Sequence, residues 1–267
     1  ALEKKFNPSP LEIYLKNFAE AMTKKDFQRA EDALGKAAAL VPEAAKVVHN
    51  FGLLHLAKGE VDKAIGFFKA AITKNPMFVT SYNALGEIYE NMGDLESAIK
   101  YYKLAYKISP DNTERIVTLS KLYYKTGDTS GAETILRGAV SDMRTDVAAS
   151  AHLMGEIYLA KNENEKALEM LIKSYSHNPS DMSIMESLAE AYRKVRQPEQ
   201  ALKLYNECIK ISPDNALAYY NMSKTYLEMS DKNNAIETMK KAWTLNPQSK
   251  EITADLKALA EKDRFHL

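Results

Sequence analysis

Apolar side chains recur every three or four residues along most of the chain, in stretches that short polar turns separate. For example, Leu85 and Tyr89 precede Gly93, and Ala98 and Tyr102 follow it. This spacing places apolar side chains on one face of a helix, so it predicts two amphipathic helices. Gly93 predicts the turn between them, because glycine readily adopts the left-handed backbone conformation that ends a helix.

The same pattern returns with a fixed period. Prolines mark it at intervals of 34 residues within two groups of three: Pro42, Pro76 and Pro110, then Pro179, Pro213 and Pro247. Because proline cannot continue a hydrogen-bonded helix, each predicts the end of a second helix. With proline at position 32, the seven repeats are 11–44, 45–78, 79–112, 113–146, 148–181, 182–215 and 216–249. Such an internal repeat is typical of a solenoid.

Small residues recur at fixed positions of these repeats. Position 20 is alanine in all seven, at Ala30, Ala64, Ala98, Ala132, Ala167, Ala201 and Ala235. Position 27 is small throughout and position 8 is small in six repeats, whereas position 24 carries a large apolar side chain. Helices with small residues at facing positions can pack at a short axial distance, with the large side chain beside them.

These recurring positions resemble the tetratricopeptide repeat family over about nine-tenths of the chain. The resemblance implies an all-α fold, an α-solenoid of seven tandem helix-turn-helix repeats in a right-handed superhelix. Residues 250–267 are expected to form a C-terminal capping helix that covers the last repeat. Residues 1–10 are expected to be a leader or linker, because the Asn-Pro-Ser-Pro segment breaks a helix.

Two departures from the repeat pattern predict local changes. Arg144 stands where the other six repeats carry proline, and Val147 is an inserted residue. Stacking is therefore expected to change pitch or flex between residues 141 and 147. In the sixth repeat, Pro198 follows the turn and is expected to start the second helix.

Composition narrows the classes of function. The 36 basic side chains balance 36 acidic ones, which argues against a nucleic-acid partner or a polybasic membrane binder. One cysteine excludes an internal disulfide and a multi-cysteine metal site. No apolar run approaches the roughly 18 residues of a membrane span, and no signal peptide opens the chain. The expectation is a cytoplasmic protein without membrane insertion.

No residue pattern points to catalysis, a cofactor or a metal. None of the five histidines forms the i, i+4 pair of a helical zinc site. His55 takes the position that Tyr89 holds in the next repeat, so it is interpreted as a packed side chain. Cys208 falls at small position 27, where a buried inert thiol is expected. The chain is therefore predicted not to be an enzyme.

The resemblance also implies a partner groove on the concave side, lined by positions 2, 5, 9, 12 and 13 of the first helices. Its candidate residues are Leu15, Ala19, Met22, His49, Leu53, Leu56, Asn83, Glu87, Glu90, Asn91, Lys121, Tyr124, Lys125, His152, Glu156, Glu190, Arg193, Lys194, Tyr220 and Lys224. The first two repeats make this surface apolar, and the third makes it polar and acidic. We expect the apolar end near Leu53 to receive apolar side chains of a peptide, with Asn83 and Asn91 available to its backbone.

Several alternatives stay open at this stage. The leader around Phe6 or a second subunit would also cover the apolar end. The predicted function is a non-catalytic scaffold or adaptor for a protein or peptide partner. The alternative is a regulatory or substrate-recruiting domain of a larger multidomain protein, such as an enzyme or a bacterial signalling protein. Uniform helical repeats also permit self-association.

Overall fold

The structure, a computed structural model, describes residues 8–142 and 146–263. These residues form fifteen helices, which short turns connect. The helices are α1 (Pro10–Thr23), α2 (Phe27–Leu40), α3 (Ala45–Ala57), α4 (Val61–Lys74), α5 (Val79–Asn91), α6 (Leu95–Ile108), α7 (Thr113–Lys125), α8 (Thr129–Asp142), α9 (Val147–Ala160), α10 (Asn164–His177), α11 (Met182–Lys194), α12 (Pro198–Ile211), α13 (Ala216–Glu228), α14 (Lys232–Leu245) and α15 (Lys250–Asp263).

The first fourteen helices are the first and second helices of seven repeats, and α15 follows the last repeat. The all-α repeat fold predicted from the sequence is thereby confirmed. The first helix begins at Pro10, one residue before the predicted start of the first repeat, because Ser9 caps it. The hydroxyl of Ser9 accepts a hydrogen bond from the Glu12 amide, and the Glu12 carboxylate accepts one from the Ser9 amide. Pro198 starts α12, as predicted.

The chain divides into two compact units between Thr126 and Gly127, at the turn inside the fourth repeat. Unit 1 contains α1 to α7, and unit 2 contains α8 to α15. The joint predicted at residues 141–147 includes residues 143–145, which lie outside the described residues. Leader residues 1–7, including Phe6, which was expected to be able to cover the apolar end, lie outside them as well.

Each turn between the two helices of a repeat contains a residue with a positive φ angle. Three are glycines: Gly93 (79°), at the turn predicted from the sequence, and its counterparts Gly59 (78°) and Gly127 (86°). The others are Lys25 (55°), Asn162 (57°), Arg196 (61°) and Ser230 (62°). None of these four is a glycine, because a hydrogen-bonded turn can hold an L-residue in this conformation at a modest energetic cost.

The small residues allow the close helix packing that the sequence predicts. All seven alanines at position 20 are fully buried, with 0% exposure. The glycines at position 8 face the large side chain at position 24 of the same repeat. A Cβ atom on Gly86 would lie 2.9 Å from the Tyr102 ring, and one on Gly155 would lie 2.5 Å from Leu171 Cγ. Larger side chains at these positions would push the two helices apart.

Candidate functional site

The first helices carry the residues that the sequence assigns to a partner groove. Among those residues, eight are exposed: Ala19, Glu87, Asn91, Lys121, Tyr124, Lys125, Glu156 and Lys194. Ten are partly buried: Leu15, Met22, Leu53, Leu56, Asn83, Glu90, His152, Glu190, Arg193 and Lys224. Two are buried, His49 and Tyr220. The predicted groove residues therefore differ in how much of each side chain a partner could contact.

Position 5 of the first helices bonds one repeat to the next. His49 Nδ1 lies 2.9 Å from Ser81 Oγ, and His152 Nε2 lies 2.9 Å from Ser187 Oγ. Each of these hydrogen bonds joins a first helix to the first helix of the following repeat. His49 is therefore engaged within the stack and, at 8% exposure, presents little of its surface to a partner.

Position 5 makes similar bonds elsewhere in the two units. The Tyr220 hydroxyl donates to Glu251 and Asp255 of α15, at 2.9 and 2.6 Å. With 2% exposure, Tyr220 joins the last repeat to α15 and likewise presents little of its surface to a partner. Asn83 uses its amide oxygen to accept a bond from Arg115 Nη1 at 3.1 Å. That oxygen is consequently engaged within the stack by one hydrogen bond.

His49 lies in an apolar environment. Its ring centroid is 5.0 Å from that of Phe68 and 5.3 Å from that of Phe78, and its exposure is 8%. Burial lowers the pKa of His49 from 6.5 to about 4, because the protonated ring would lose its hydration. His49 is thus a neutral hydrogen-bonding side chain near neutral pH.

The apolar end predicted near Leu53 belongs to the core of unit 1. Leu15, Met22 and Leu53 pack against a buried cluster that includes Phe18 and Leu34. Leu53 also packs against the next buried cluster along the chain. The side chains in question are only partly accessible, since neighbouring helices cover the rest of their surface. α1 and α3 accordingly leave only part of each of these apolar side chains exposed.

The exposed part of the predicted groove in unit 1 lies on α5 and α7. We call Glu87, Asn91, Lys121, Tyr124 and Lys125 the mixed-charge surface. All five side chains are exposed, and the Tyr124 ring is 38% exposed. The carboxylate of Glu87 and the amide of Asn91 lie on α5, whereas both lysines and the tyrosine lie on α7. This surface offers both signs of charge and an aromatic ring to a ligand.

A polar pocket of about 170 Å³ adjoins this surface and shares Glu87 with it. Its other lining residues are Asn83, Tyr102, Asn112, Glu114, Arg115 and Thr118. Burial raises the pKa of Tyr102, and the nearby carboxylates Glu90, Glu87 and Glu114 raise it further. The pocket is large enough for one side chain of a partner.

Arg115 is the main residue of this pocket that the sequence analysis missed. It is 3% exposed, donates to the Ser109 carbonyl through Nη2, and has a buried Nε without a hydrogen-bond partner. Burial lowers its pKa, since the charged guanidinium is desolvated. Its signal in the sequence is a charge at position 3, where the other repeats carry Ile, Val, Ser or Ala.

In unit 2, ion pairs hold most of the charged groove candidates. Arg193 bonds to Glu190 at 2.5 Å and also to Glu228 of the next repeat. Lys224 Nζ lies 4.2 Å from the centre of the Tyr220 ring and 3.7 Å from Glu251. The Arg193–Glu228 and Lys224–Glu251 contacts connect neighbouring helices, so these two contribute to stacking before any partner is involved.

The single cysteine, Cys208, is buried, as its position in the repeat predicts. Burial raises the pKa of its thiol to about 11, so the reactive thiolate is disfavoured. Within residues 8–142 and 146–263, no group of three or more His, Cys, Asp or Glu side chains is placed to hold a metal ion. In the same ranges, every helix is too short or too polar to cross a membrane.

Stacked helix pairs with small residues at the facing positions define the class of the protein, an α-solenoid of helix-turn-helix repeats. Tetratricopeptide repeat models match residues 18–76 and 79–112. The model of the ChAPs, described as Chs5p-Arf1p-binding proteins, matches residues 116–267. The chain belongs to the tetratricopeptide repeat family, as its recurring positions indicate.

Individual relatives are distant in sequence. Mouse tetratricopeptide repeat protein 21A is 29% identical over 103 residues, which are 39% of this chain but only 8% of the mouse protein. One chain in the crystal structure of the APC/C hetero-tetramer Cut9-Hcn1 aligns with a TM-score of 0.60 at 16% identity. The alignment covers 96% of this chain and 50% of that one. PilF of Pseudomonas aeruginosa aligns with a TM-score of 0.63 at 19% identity, over 81% of this chain and 98% of that one. At these identities the structural likeness concerns the fold.

Proposed function

We propose that the chain is a non-catalytic protein-interaction scaffold, and that the mixed-charge surface of unit 1 receives a segment of a partner protein. One observation carries this proposal. Asn83 at position 5 of α5 accepts a hydrogen bond from Arg115 of α7, whereas Glu87 and Asn91 on α5 and Lys121, Tyr124 and Lys125 on α7 remain exposed. Their side chains are thus available to a ligand without loss of a bond that holds the stack.

The chemistry of this surface favours a polar partner segment. A basic side chain of the partner would pair with Glu87, and an acidic one with Lys121 or Lys125. Complementary charges of this kind select a partner and its orientation more than they add affinity. The Tyr124 ring supplies apolar contact area beside them, and tyrosine commonly contributes much of the binding energy at protein interfaces.

Relatives offer support of a more general kind. The Cut9 structure is a hetero-tetramer with Hcn1, and the ChAPs are described as binding Chs5p and Arf1p. Both descriptions concern assemblies between proteins. A partner protein, rather than a nucleic acid or a membrane, is what we propose for this chain too.

A second candidate is a recruiting module within a longer multidomain protein. The mouse relative favours this candidate, because the aligned segment makes up only 8% of the length of that protein. The same surface would then bring a substrate or regulator to another domain. Self-association is a further use of such a surface, and it would appear as a concentration-dependent sedimentation coefficient.

A site-specific photo-crosslinker tests the proposed surface. We expect a crosslinker in place of Tyr124 to capture a discrete protein from an extract of the source cells. The matched control replaces Lys103, which is exposed on second helix α6 and outside the mixed-charge surface. Capture of the same protein with equal yield at both positions, or only at Lys103, would contradict the proposal.

A further inference from the structure

The polar pocket beside the mixed-charge surface brings charged groups of two helices together. Helix α5 supplies Glu87, α6 supplies Tyr102, and α7 supplies Glu114 and Arg115. Tyr102 and Arg115 are buried, with 8% and 3% exposure, whereas both carboxylates are exposed. The buried part of the pocket is thus a phenol and a guanidinium, and its exposed part carries two carboxylates.

Arg115 is a buried cation without a carboxylate partner. Its guanidinium donates to two uncharged groups, the amide oxygen of Asn83 and the carbonyl of Ser109, and its buried Nε has no partner. Burial alone accounts for its lowered pKa, and no ion pair joins it to a carboxylate of the described residues. Because an uncompensated buried charge is costly, an oxygen acceptor placed against the guanidinium would stabilise this arrangement.

The two lining carboxylates are unpaired as well. Neither Glu87 nor Glu114 forms a hydrogen bond or an ion pair within the part of the chain that the structure describes. Glu90 differs, because it accepts a hydrogen bond from the Tyr102 hydroxyl. All three carboxylates act on the pocket, since each of them raises the pKa of Tyr102. A cationic group of a ligand would therefore find two free carboxylates there.

The charges around the pocket favour a ligand with one positive charge. Its lining has two carboxylates against one guanidinium, a net charge of −1. Three residues along the chain from lining residues, Glu90 and Asp111 add two negative charges, and Lys121 adds one positive charge. Lys125 lies a further turn along α7. The charged residues of α6 and of the turn before it line a separate depression: Asp94, Glu96, Lys100, Lys103 and Lys107.

We propose that this pocket captures the free N-terminus of a partner segment. The α-ammonium group would pair with Glu87 and Glu114, and the first carbonyl oxygen would accept a hydrogen bond from Arg115. One ligand then meets both kinds of unpaired group, because a single Cα atom separates its ammonium from its carbonyl. This proposal rests on the proposed function, since the pocket shares Glu87 with the mixed-charge surface that receives the segment.

The lining distinguishes an N-terminus from a lysine side chain. A lysine ammonium has no oxygen acceptor beside it, so it would leave Arg115 uncompensated. Its aliphatic stem needs apolar contacts, yet none of the seven lining side chains is aliphatic. A cavity of about 150 Å³ holds a benzene molecule, so the pocket of about 170 Å³ suits a small first residue such as alanine.

A dipeptide titration tests the pocket without a natural partner. The probe is alanyl-alanine amide, which has a free α-ammonium group and no carboxylate. We expect it to shift the NMR signal of the Arg115 Nε–H group of the full chain in a saturable way. Acetyl-alanyl-alanine amide lacks the ammonium and isopropylammonium lacks the carbonyl, so each should bind at least about tenfold more weakly. Absence of a shift with the dipeptide, or equal binding of either control, would overturn the proposal.

A charge-neutralising variant checks the role of the carboxylates. Glu114→Gln is expected to weaken binding of the dipeptide about tenfold, because it removes one charge at nearly unchanged shape. The matched control is Glu96→Gln, since Glu96 is exposed on α6 and does not line the pocket. Both changes are at exposed positions, so folding should be preserved. Equal affinities of the two variants would count against the proposal.

The result is separable from the test of the proposed function. Crosslinking at position 124 reports on the mixed-charge surface, whereas the dipeptide reports on the pocket alone. If a partner is captured but the dipeptide does not bind, only the capture of an N-terminus is overturned. If the dipeptide binds but no partner is captured, the proposed function fails while the chemistry of the pocket is supported.

Discussion

Replacement of Leu85 by alanine is expected to lower the free energy of unfolding by roughly 2–5 kcal/mol. Leu85 has 0% exposure and packs in a buried cluster with Ala64, Phe68 and Ile88. Truncation would remove apolar contacts and leave a cavity between α4 and α5, which the surrounding helices can fill only in part. Urea denaturation followed by far-UV circular dichroism measures the loss.

Two matched variants separate the effect of this cavity from a general sensitivity of the helices to substitution. Leu85→Met keeps most of the side-chain volume and should cost less than about 1.5 kcal/mol. Glu87→Gln changes an exposed residue on the same helix and should change stability by no more than about 0.5 kcal/mol. If Leu85→Ala were as stable as Glu87→Gln, the repeat register would be wrong.

Acidification should destabilise the protein through His49. The pKa of His49 is about 4 in the folded chain against 6.5 without burial, so the unfolded chain binds the proton more readily. The stability that neutral His49 provides is present above pH 6.5 and is lost as the pH falls towards 4. By linkage the loss amounts to roughly 2–3 kcal/mol. Urea denaturation between about pH 7 and pH 4 records it.

The variant His49→Gln identifies the source of this pH dependence. Glutamine does not titrate but retains a polar group that can bond to Ser81. Carboxylates also titrate in this range, so the parent and the variant are compared at each pH. A smaller loss of stability in the variant is the expected result. An identical loss in both proteins would show that His49 does not carry the effect.

The repeat fold was predictable because it depends on local features with a fixed period. Gly93 permits the turn between the two helices of its repeat. The spacing of Leu85 and Tyr89 places both side chains on one face of a helix, and the small Ala98 permits close packing of helices. Each of these effects acts within one repeat or between adjacent helices. Seven repetitions make the pattern visible without knowledge of any distant contact.

The site was predictable only in part, because the direction of a side chain does not determine what it reaches. Position 5 points along the first-helix surface, yet His49 bonds to Ser81, which is 32 residues away in the sequence. Whether this bond forms depends on the residue that the next repeat presents. The partial burial of Leu53 likewise depends on two neighbouring clusters.

The pocket around Arg115 has a different origin. Its lining residues lie on or next to α5, α6 and α7, so no short-range pattern marks it. The informative signal is the charge of Arg115 at position 3, where the other repeats carry Ile, Val, Ser or Ala.

The central claim is that a partner protein binds the mixed-charge surface of unit 1. The most direct test is the affinity of the protein captured through position 124 for two double variants of the full chain. We predict that Lys121→Glu with Lys125→Glu weakens binding at least tenfold. We also predict that Lys103→Glu with Lys107→Glu, which makes the same charge change at exposed residues of α6, leaves it within about twofold. Equal weakening by both pairs, or weakening by the α6 pair alone, would contradict the claim.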